Sequence, residues 1–333
     1  MPAPFSAQDV YDAYARIRDL IYCTPLEESI CLGGSGRRYF FKLECAQTVK
    51  SFKIRGALSK MTTLGPEQRR RGVATVSSGN HGAAVSCAAG LLGIPNAVII
   101  VPEATPQAKV DRIRFYGGSV LLMGRDYNEA HALGSAYIAA HRLTYIDPYY
   151  DDPKIYGGQG TISLEILRQN PGIDTIVCPI GGGGLITGIA VAAKALKPDI
   201  RIIGVQTEVC PAMIAALRDH VLYEEYPVTG PSVCDALTGG VGALSFSMLG
   251  DLATDVLAVK ETSVREAVRH MVLKEKTVVE GGGAAALAAV LEQPERVGGK
   301  NVALVMSGGN IDGALLQEIL AAAPSAAENR KRD

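Results

Sequence analysis

Six runs of apolar, largely β-branched residues recur along this chain at the length of a β-strand. They are "RGVATV", "NAVIIV", "SVLLM", "TIVCPI", "IRIIGV" and "NVALVM". Between them lie segments with helical character, among them "HGAAVSCAAGLLG", "TPQAKVDRIRFYG" and "LITGIAVAAKALKP". Strands that are apolar on both faces and alternate with helices are typical of a parallel sheet covered by helices on both faces. The pattern therefore predicts an α/β fold.

Size and charge narrow the classes of function. With 333 residues the chain is long enough for two domains that share a large core. Its formal net charge of −1 gives no electrostatic reason to expect nucleic acid or an anionic membrane as a partner. The first twenty residues lack the basic start and the apolar segment of a secretory signal, and no apolar run reaches membrane-spanning length. We expect a cytoplasmic protein without a membrane segment.

Cysteine and histidine spacing predicts neither disulfides nor a metal site. The 7 cysteines stand singly, without a CxxC pair, and each is expected to be a small buried apolar residue. The 5 histidines show no ligand spacing such as HExxH. A metal hydrolase is accordingly a poor hypothesis.

The loop "PIGGGGLITG" follows a predicted strand and opens a predicted helix. Its four glycines, Gly181 to Gly184, allow backbone N–H groups to converge, and the helix that starts near Leu185 adds partial positive charge. The spacing matches neither G-x-G-x-x-G nor a loop that ends in GK[ST], which leaves a single phosphate monoester as the best-fitting ligand. A tight turn without a ligand is the alternative, although four consecutive glycines cost more backbone entropy than a turn requires.

Two further loops follow predicted strands. In "VSSGNHG", Ser77, Ser78, Gly79 and Asn80 precede a helix that begins around His81, and their hydroxyls and amides suit a carboxylate. The alternative is that Ser78 or Asn80 acts only as a helix cap. In "MSGGNID", Ser307 ends the last predicted strand.

With Lys53, in "SFKIRGA", the sequence offers a candidate for each group that pyridoxal phosphate requires. That cofactor needs an amine for its aldehyde, a cradle for one phosphate, a partner for the ring nitrogen and a seat for the substrate carboxylate. A lysine must be neutral to attack an aldehyde, and burial beside an aromatic ring such as Phe52 lowers its pKa. Three other lysines, Lys42, Lys50 and Lys60, are expected to be surface charges.

The ordered set of motifs resembles the serine/threonine dehydratase and serine racemase family of fold-type-II pyridoxal phosphate enzymes. The resemblance runs from "TPLEES" through "FKLECAQTVKSFKIRGA", "SSGNHG", "GGQGTISLEIL", "PIGGGGL" and "CDAL" to "SGGN", nearly the whole chain. It implies the fold of the tryptophan synthase β chain, with two parallel-sheet-based domains and the cofactor in the cleft between them. The small domain would be residues 57–147 and the large domain residues 1–56 plus 148–333. A homodimer is usual among such relatives.

The resemblance also implies a role for each site residue. Lys53 would bond to the cofactor aldehyde, with Phe52 near the ring and Asn80 bonded to the phenolic oxygen. Gly181, Gly182, Gly183, Gly184 and Leu185 would hold the phosphate, and Ser307 would face the pyridine nitrogen. The segment from Ser77 to His81 would bind the substrate carboxylate, and Ser78 matches the acid/base opposite the lysine.

The activity implied is dehydration of an L-threonine or L-serine type substrate to a 2-oxo acid and ammonia. The segment from Asp235 to Gly240 places glycine where racemases use serine, and Gln206, Cys210 and Ala212 stand where metal-dependent members have ligands, so racemisation and a divalent cation lose support. Small residues near Cβ favour a bulkier substrate, such as L-threo-phenylserine or a hydroxylated diamino acid. The alternatives are a racemase, a β-replacement enzyme, or an inactive homologue that only binds ligand.

Overall fold

A computed structural model describes residues 5–34, 36–147 and 152–322. The helices are α1 Ala7–Ile17, α2 Lys53–Met61, α3 Pro66–Arg71, α4 Asn80–Leu91, α5 Gln107–Phe115, α6 Tyr127–Ala140, α7 Pro153–Gln169, α8 Gly184–Leu196, α9 Ala212–Asp219, α10 Ala243–Leu252, α11 Glu261–Leu273, α12 Gly281–Glu292, α13 Pro294–Val297 and α14 Gly313–Ala321. The strands are β1 Leu26–Glu28, β2 Arg38–Lys42, β3 Val73–Val76, β4 Ala97–Val101, β5 Ser119–Leu122, β6 Thr144–Tyr145, β7 Thr175–Pro179, β8 Arg201–Thr207, β9 Asp255–Val259 and β10 Asn301–Val305.

The larger sheet has the strand order β1-β2-β10-β7-β8-β9. All of its neighbouring strands are parallel except β1, which pairs antiparallel with β2. Every strand predicted from the sequence is present in the two sheets. The strands that the pattern missed are β1, β2, β6 and β9, which are short, begin with charged residues or lie at or beside a sheet edge.

Alternate residues of the larger sheet pack into two different cores. Phe41 and Val177 lie in a cluster with apolar residues of α11 and α12. Their neighbours Phe40 and Ile176 lie in a second cluster with residues of α7, α8 and α9. Since successive side chains of a strand point to opposite faces, both faces of this sheet are covered by helices, as the apolar runs predict.

The smaller sheet has the order β5-β4-β3-β6 and is entirely parallel. Ile99 packs toward α2 and α4, whereas Ile100 packs toward α6. All four strands fall within residues 57–147. The division into two domains at those boundaries stays a prediction.

Lys42 contradicts the prediction that it is a surface charge. Its side chain is fully buried, and Nζ donates to Glu165 Oε2 at 2.6 Å and to the Thr24 carbonyl at 2.7 Å. The same carboxylate pairs with Arg55, which also pairs with Glu44 at 2.7 Å. Buried charges are tolerated when each is paired and hydrogen-bonded, and this network joins β2, α2 and α7.

The other two lysines differ from each other. Lys50 is exposed, as predicted. Lys60 is half-buried and pairs with Asp152 at 2.6 Å, so it is not a simple solvated charge. Two of the cysteines, Cys23 and Cys31, are exposed, contrary to prediction, whereas the remaining five are buried. None of the described helices is both long and apolar enough to cross a bilayer.

Candidate active site

A cavity of about 370 Å³ lies where the carboxyl ends of strands from both sheets meet. Pro179 at the end of β7, Ser77 just after β3 and Ser307 just after β10 all line it. Every residue predicted to bind cofactor or substrate lines this same cavity. Ligands of α/β proteins commonly bind at this end of the strands.

Lys53 begins α2 and is held there by the backbone next to β10. The N–H of Phe52 donates to the Ser307 carbonyl at 3.0 Å. Ser51 and Gly308 pair as a single antiparallel β-bridge. The Lys53 Nζ lies 5.4 Å from the centroid of the Phe52 ring. Burial lowers the pKa of Lys53 to about 8, although the charges of Asp147 and Glu280 oppose that shift. About a tenth of this amine is therefore neutral at pH 7, far more than for a lysine with its usual pKa of 10.5.

Gly183 and Gly184 of the glycine loop have no room for a side chain. Gly183 has φ 101°, and a Cβ there would lie 2.5 Å from Ser245. A Cβ on Gly184 would meet the ring of Tyr156 at 2.7 Å, and the hydroxyls of Tyr156 and Ser245 lie 2.8 Å apart. The loop leads directly into the 13-residue helix α8, whose N-terminus favours an anion. This cradle fits a phosphate group.

The segment from Ser77 to His81 leads into α4. The N-cap residue is Gly79, and the side chain of Asn80 bonds instead to two residues from elsewhere in the chain. Its Nδ2 donates to Glu280 Oε1 at 2.7 Å, and its Oδ1 accepts from Asn310 Nδ2 at 2.7 Å. The alternative that Asn80 serves only as a helix cap is therefore not what the structure shows.

Glu280 is a site residue that the sequence analysis missed. It is the N-cap residue of α12, and its Oε2 accepts a hydrogen bond from the Asn310 N–H at 3.0 Å. Burial, and secondly the charge of Asp235, raises the pKa of Glu280 to about 7 against the opposing hydrogen bonds from Asn80 and Asn310. One signal was present in the sequence, because a single acid stands directly before the glycines that open α12.

Charged and polar groups beyond the predicted set also line the cavity. Lys109 and Arg112 of α5 line it together with Asp235, and Lys109 Nζ lies 3.6 Å from Asp235 Oδ2. Gln159 of α7 lies against Gly56, one turn after Lys53 on α2. Gln159 and Asp235 stand in the family motifs "GGQGTISLEIL" and "CDAL" without a role assigned from the sequence, whereas Lys109 and Arg112 stand in an ordinary helical context.

Ser307 offers a neutral hydroxyl at the end of β10. It is 5% exposed, and its Oγ donates a long hydrogen bond of 3.5 Å to the Gly282 carbonyl. A hydroxyl in this place suits an unprotonated ring nitrogen better than a carboxylate would. Together with the amine of Lys53 and the glycine cradle, this residue makes the site fit pyridoxal phosphate.

Residues 17–308 match the family model described as "Pyridoxal-phosphate dependent enzyme". The chain belongs to this family. It is 37% identical to the L-threonine ammonia-lyase of Thermotoga maritima over 94% of this chain and 77% of that relative. It is 40% identical to the serine racemase of Arabidopsis thaliana over 91% of this chain and 92% of the relative. The solved structure of maize serine racemase superposes with a TM-score of 0.87 at 33% identity and covers 98% of both chains.

Membership of the family confirms four predictions. The resemblance to fold-type-II enzymes, the α/β fold with parallel-based sheets, and pyridoxal phosphate as the cofactor are confirmed. The enzyme class, a pyridoxal-phosphate-dependent lyase, is confirmed as well. The roles of individual site residues stay predictions.

No group of three or more His, Cys, Asp or Glu side chains within residues 5–34, 36–147 and 152–322 is placed to hold a metal ion. Gln206, which stands where metal-dependent relatives are expected to have a ligand, has another use here. Its Oε1 accepts hydrogen bonds from the N–H groups of Met213 at 2.9 Å and Ile214 at 3.2 Å, in the first turn of α9.

Proposed function

We propose that this enzyme eliminates water from a β-hydroxy-α-amino acid of the L-threonine or L-serine type and releases a 2-oxo acid and ammonia. The main support is that Lys53, an amine with a pKa of about 8, shares one cavity with Ser78 and with the glycine cradle. A relative named L-threonine ammonia-lyase, 37% identical, supports the same reaction.

The proposed roles on the cofactor side are those that the family resemblance implies. When bound, pyridoxal phosphate supplies an aldehyde that bonds to an amine and a conjugated ring that stabilises negative charge at Cα. Lys53 provides the amine and, once free, a base for the Cα proton. Backbone N–H groups from Gly181 to Leu185 would hold the phosphate, and Phe52 would lie beside the ring. Asn80 would donate to the phenolic oxygen, and Ser307 would be the partner of the ring nitrogen.

On the substrate side, Ser77, Ser78, Gly79, Asn80 and His81 would bind the α-carboxylate at the start of α4. The N-terminus of this 12-residue helix favours a negative charge. The hydroxyl of Ser78, which is partly open to the cavity, would serve as the second acid/base. When fixed donors hold the carboxylate, Cα and Cβ of the substrate are kept in one orientation. Binding then meets the entropy cost of orienting the substrate before the reaction begins.

The finer proposal concerns the substituent at Cβ. We propose that a bulkier substrate such as L-threo-phenylserine, or a hydroxylated diamino acid, is accepted. The support is the run of small residues from Thr238 to Gly240 next to the lining residues Ala236 and Leu237, with the aromatic ring of Tyr127 also in the lining. A higher kcat/KM for L-threonine than for both larger substrates would overturn this finer proposal.

The test starts from the visible spectrum of the purified protein. L-serine, L-threonine and L-threo-phenylserine are then added separately, and 2-oxo acid and ammonia are assayed. A yellow protein that forms oxo acid from one of them, together with a colourless, inactive Lys53→Ala variant, is the expected result. A protein that binds pyridoxal phosphate but forms no oxo acid or ammonia from any of the three contradicts the proposed dehydration.

Racemisation is the alternative, because the relative with 40% identity is a serine racemase. Chiral analysis of serine recovered from the same reaction distinguishes the two activities, since only a racemase accumulates D-serine. Adding a thiol and analysing for a thioether product tests β-replacement in the same way. An inactive homologue that only binds ligand would show the cofactor spectrum but form no product. The presence of Lys53 and Ser78 argues against this alternative, because binding alone needs neither residue.

Four more predictions remain part of this proposal. The small domain would span residues 57–147, which include all four strands of the smaller sheet. The enzyme would be a homodimer that acts in the cytoplasm on a small amino acid, with neither nucleic acid nor membrane as a partner. Light scattering of the purified protein tests the dimer.

A further inference from the structure

The side-chain amide of Asn310 is oriented by the backbone beside it. Its Nδ2 donates to the carbonyl oxygen of Val49 at 2.9 Å and to Oδ1 of Asn80 at 2.7 Å. A backbone carbonyl can only accept a hydrogen bond, so the end of the amide that faces Val49 must be the NH₂ group. The two acceptors use both N–H groups of this NH₂. The Val49 carbonyl thus decides which end of the Asn310 amide meets Asn80.

This orientation fixes the amide of Asn80 in turn. Because Asn310 donates to Oδ1 of Asn80, the Nδ2 of Asn80 is left to donate to Glu280 Oε1, at 2.7 Å. The other oxygen of Glu280 accepts from the backbone N–H of Asn310 at 3.0 Å, so the carboxylate is held at both oxygens. We call these three hydrogen-bonded side chains, Asn80, Glu280 and Asn310, the amide clamp.

The amide clamp is anchored to three separate parts of the chain. Asn80 is the first residue of α4, and Val49 lies four residues before Lys53. The N–H of Glu280 donates to the Gly308 carbonyl at 3.0 Å, and a Cβ on Gly308 would collide with Glu280 Oε1. All three members of the clamp line the catalytic cavity. Its geometry is therefore set before any ligand arrives.

One N–H of Asn80 remains available to a ligand. An amide nitrogen bears two N–H groups, and Glu280 uses one of them. In the part of the chain that the structure describes, the Asn80 amide bonds only to Glu280 and Asn310. Its oxygen is turned toward Asn310, so what it offers the cavity is a donor. A ligand atom that meets this donor must be an acceptor.

We propose that Glu280 and Asn310 are positioning residues that hold the Asn80 amide with its remaining N–H toward the phenolic oxygen of the cofactor. Rotation about the Cβ–Cγ bond of an asparagine has two broad minima, in which the amide oxygen and nitrogen exchange places. Without the clamp both are populated, and in one of them an oxygen faces the phenolic oxygen. The inference rests on the Asn80 contact proposed above and is independent of the dehydration.

The test compares pyridoxal phosphate with 3-deoxypyridoxal phosphate, which lacks the phenolic oxygen. The Kd of each is measured by equilibrium dialysis on the full-length, cofactor-stripped chain at pH 8, where Glu280, with a pKa of about 7, is mostly a carboxylate. The ratio of the two Kd values is the selectivity for the phenolic oxygen. Asn80→Ala is introduced both into the wild-type chain and into the double variant Glu280→Ala, Asn310→Ala.

We expect Asn80→Ala to lower this selectivity about tenfold in the wild-type chain, because it removes a donor to a charged acceptor. In the double variant the same substitution should change it less than about twofold, since the Asn80 amide is present but no longer held. Comparison within each background cancels the effect of losing the Glu280 charge. An equal loss in both backgrounds, or no loss in the wild-type chain, would overturn the proposal.

A second measurement uses the chain without substitutions and covers the case in which the double variant does not fold. In the cofactor-free chain labelled with ¹⁵N-asparagine, the side-chain amides of Asn80 and Asn310 should exchange hydrogen about tenfold more slowly than that of the exposed Asn128. Pyridoxal phosphate should slow the exchange at Asn80 further, and the 3-deoxy analogue should not.

Two results of the exchange measurement would contradict the proposal. One is an exchange rate at Asn80 equal to that at Asn128, and the other is the same change at Asn80 with both ligands. The dehydration is assayed separately. If selectivity and exchange behave as expected while no oxo acid forms from any hydroxy amino acid, the proposed function fails and this inference stands.

Discussion

Asn80 and Glu280, 200 residues apart in the sequence, are joined by a hydrogen bond of 2.7 Å from Nδ2 to Oε1. Asn310 bonds to both, through its N–H to Glu280 and its side-chain amide to Asn80. The start of α4, the start of α12 and the loop after β10 are thus fixed to one another beside Lys53. Both oxygens of the Glu280 carboxylate are used in this arrangement.

Glu280→Gln should change how stability depends on pH. Because burial raises the pKa of Glu280 from 4.5 to about 7, the folded chain holds this proton more tightly than the unfolded chain does. The protonated carboxyl of Glu280 makes its full contribution to the free energy of unfolding below about pH 4.5. That contribution is lost as the pH rises through about 7. Since Glu280 is partly open to the cavity, we expect a loss on the order of 2 kcal/mol in wild type that is absent from the variant.

Urea unfolding of both proteins at pH 5 and pH 8 measures this difference. Glu318→Gln, at an exposed pair with Arg265, is the matched control because it removes one carboxylate charge at the surface. Parallel pH dependence in wild type and Glu280→Gln would show that the carboxylate is not desolvated.

The recombination of Lys53 with pyridoxal phosphate should follow an unusually low pKa. With a pKa of about 8 instead of 10.5, the neutral fraction of this amine rises about tenfold between pH 7 and a plateau above about pH 9. Stopped-flow absorbance on the cofactor-stripped chain measures the rate. An increase that continues beyond pH 10 would mean that the amine is solvated like an ordinary lysine.

Glu165→Gln should destabilise the protein strongly. It removes the carboxylate that pairs with both Lys42 and Arg55, each at 0% exposure, and leaves two buried cations short of negative charge. Breaking such a pair costs about 3–5 kcal/mol, measured as the free energy of unfolding in urea. The control variant Glu318→Gln breaks only the exposed ion pair with Arg265. It should lose no more than about 1 kcal/mol of unfolding free energy. Similar losses of unfolding free energy in the two variants would show that the buried ion pairs stabilise the protein no more than a surface pair does.

Gly183→Ala should weaken cofactor binding. The added Cβ would meet Ser245 at 2.5 Å in a backbone with φ 101°, which displaces the phosphate cradle. We expect the Kd for pyridoxal phosphate to rise about tenfold or more. Gly117→Ala is the control, since Gly117 has φ 88° but nothing within 4 Å of its added Cβ. It should lose about 1–2 kcal/mol of stability without any change in Kd.

The sequence by itself determined the strand and helix alternation, the three loops at strand ends and the amine at Lys53. These features are local, because apolar periodicity and runs of glycine specify backbone structure within a few residues. The order of the motifs along the chain was enough to predict the family and its cofactor.

Only the tertiary structure decided which charges are buried and which are paired. Lys42 and Lys50 look alike in the sequence, yet one is paired inside the core and the other is exposed. Glu280 likewise gained its raised pKa from burial and from residues far along the chain. The physical reason is that desolvation and pairing depend on what packs around a charge in three dimensions, and no local pattern of residues records that.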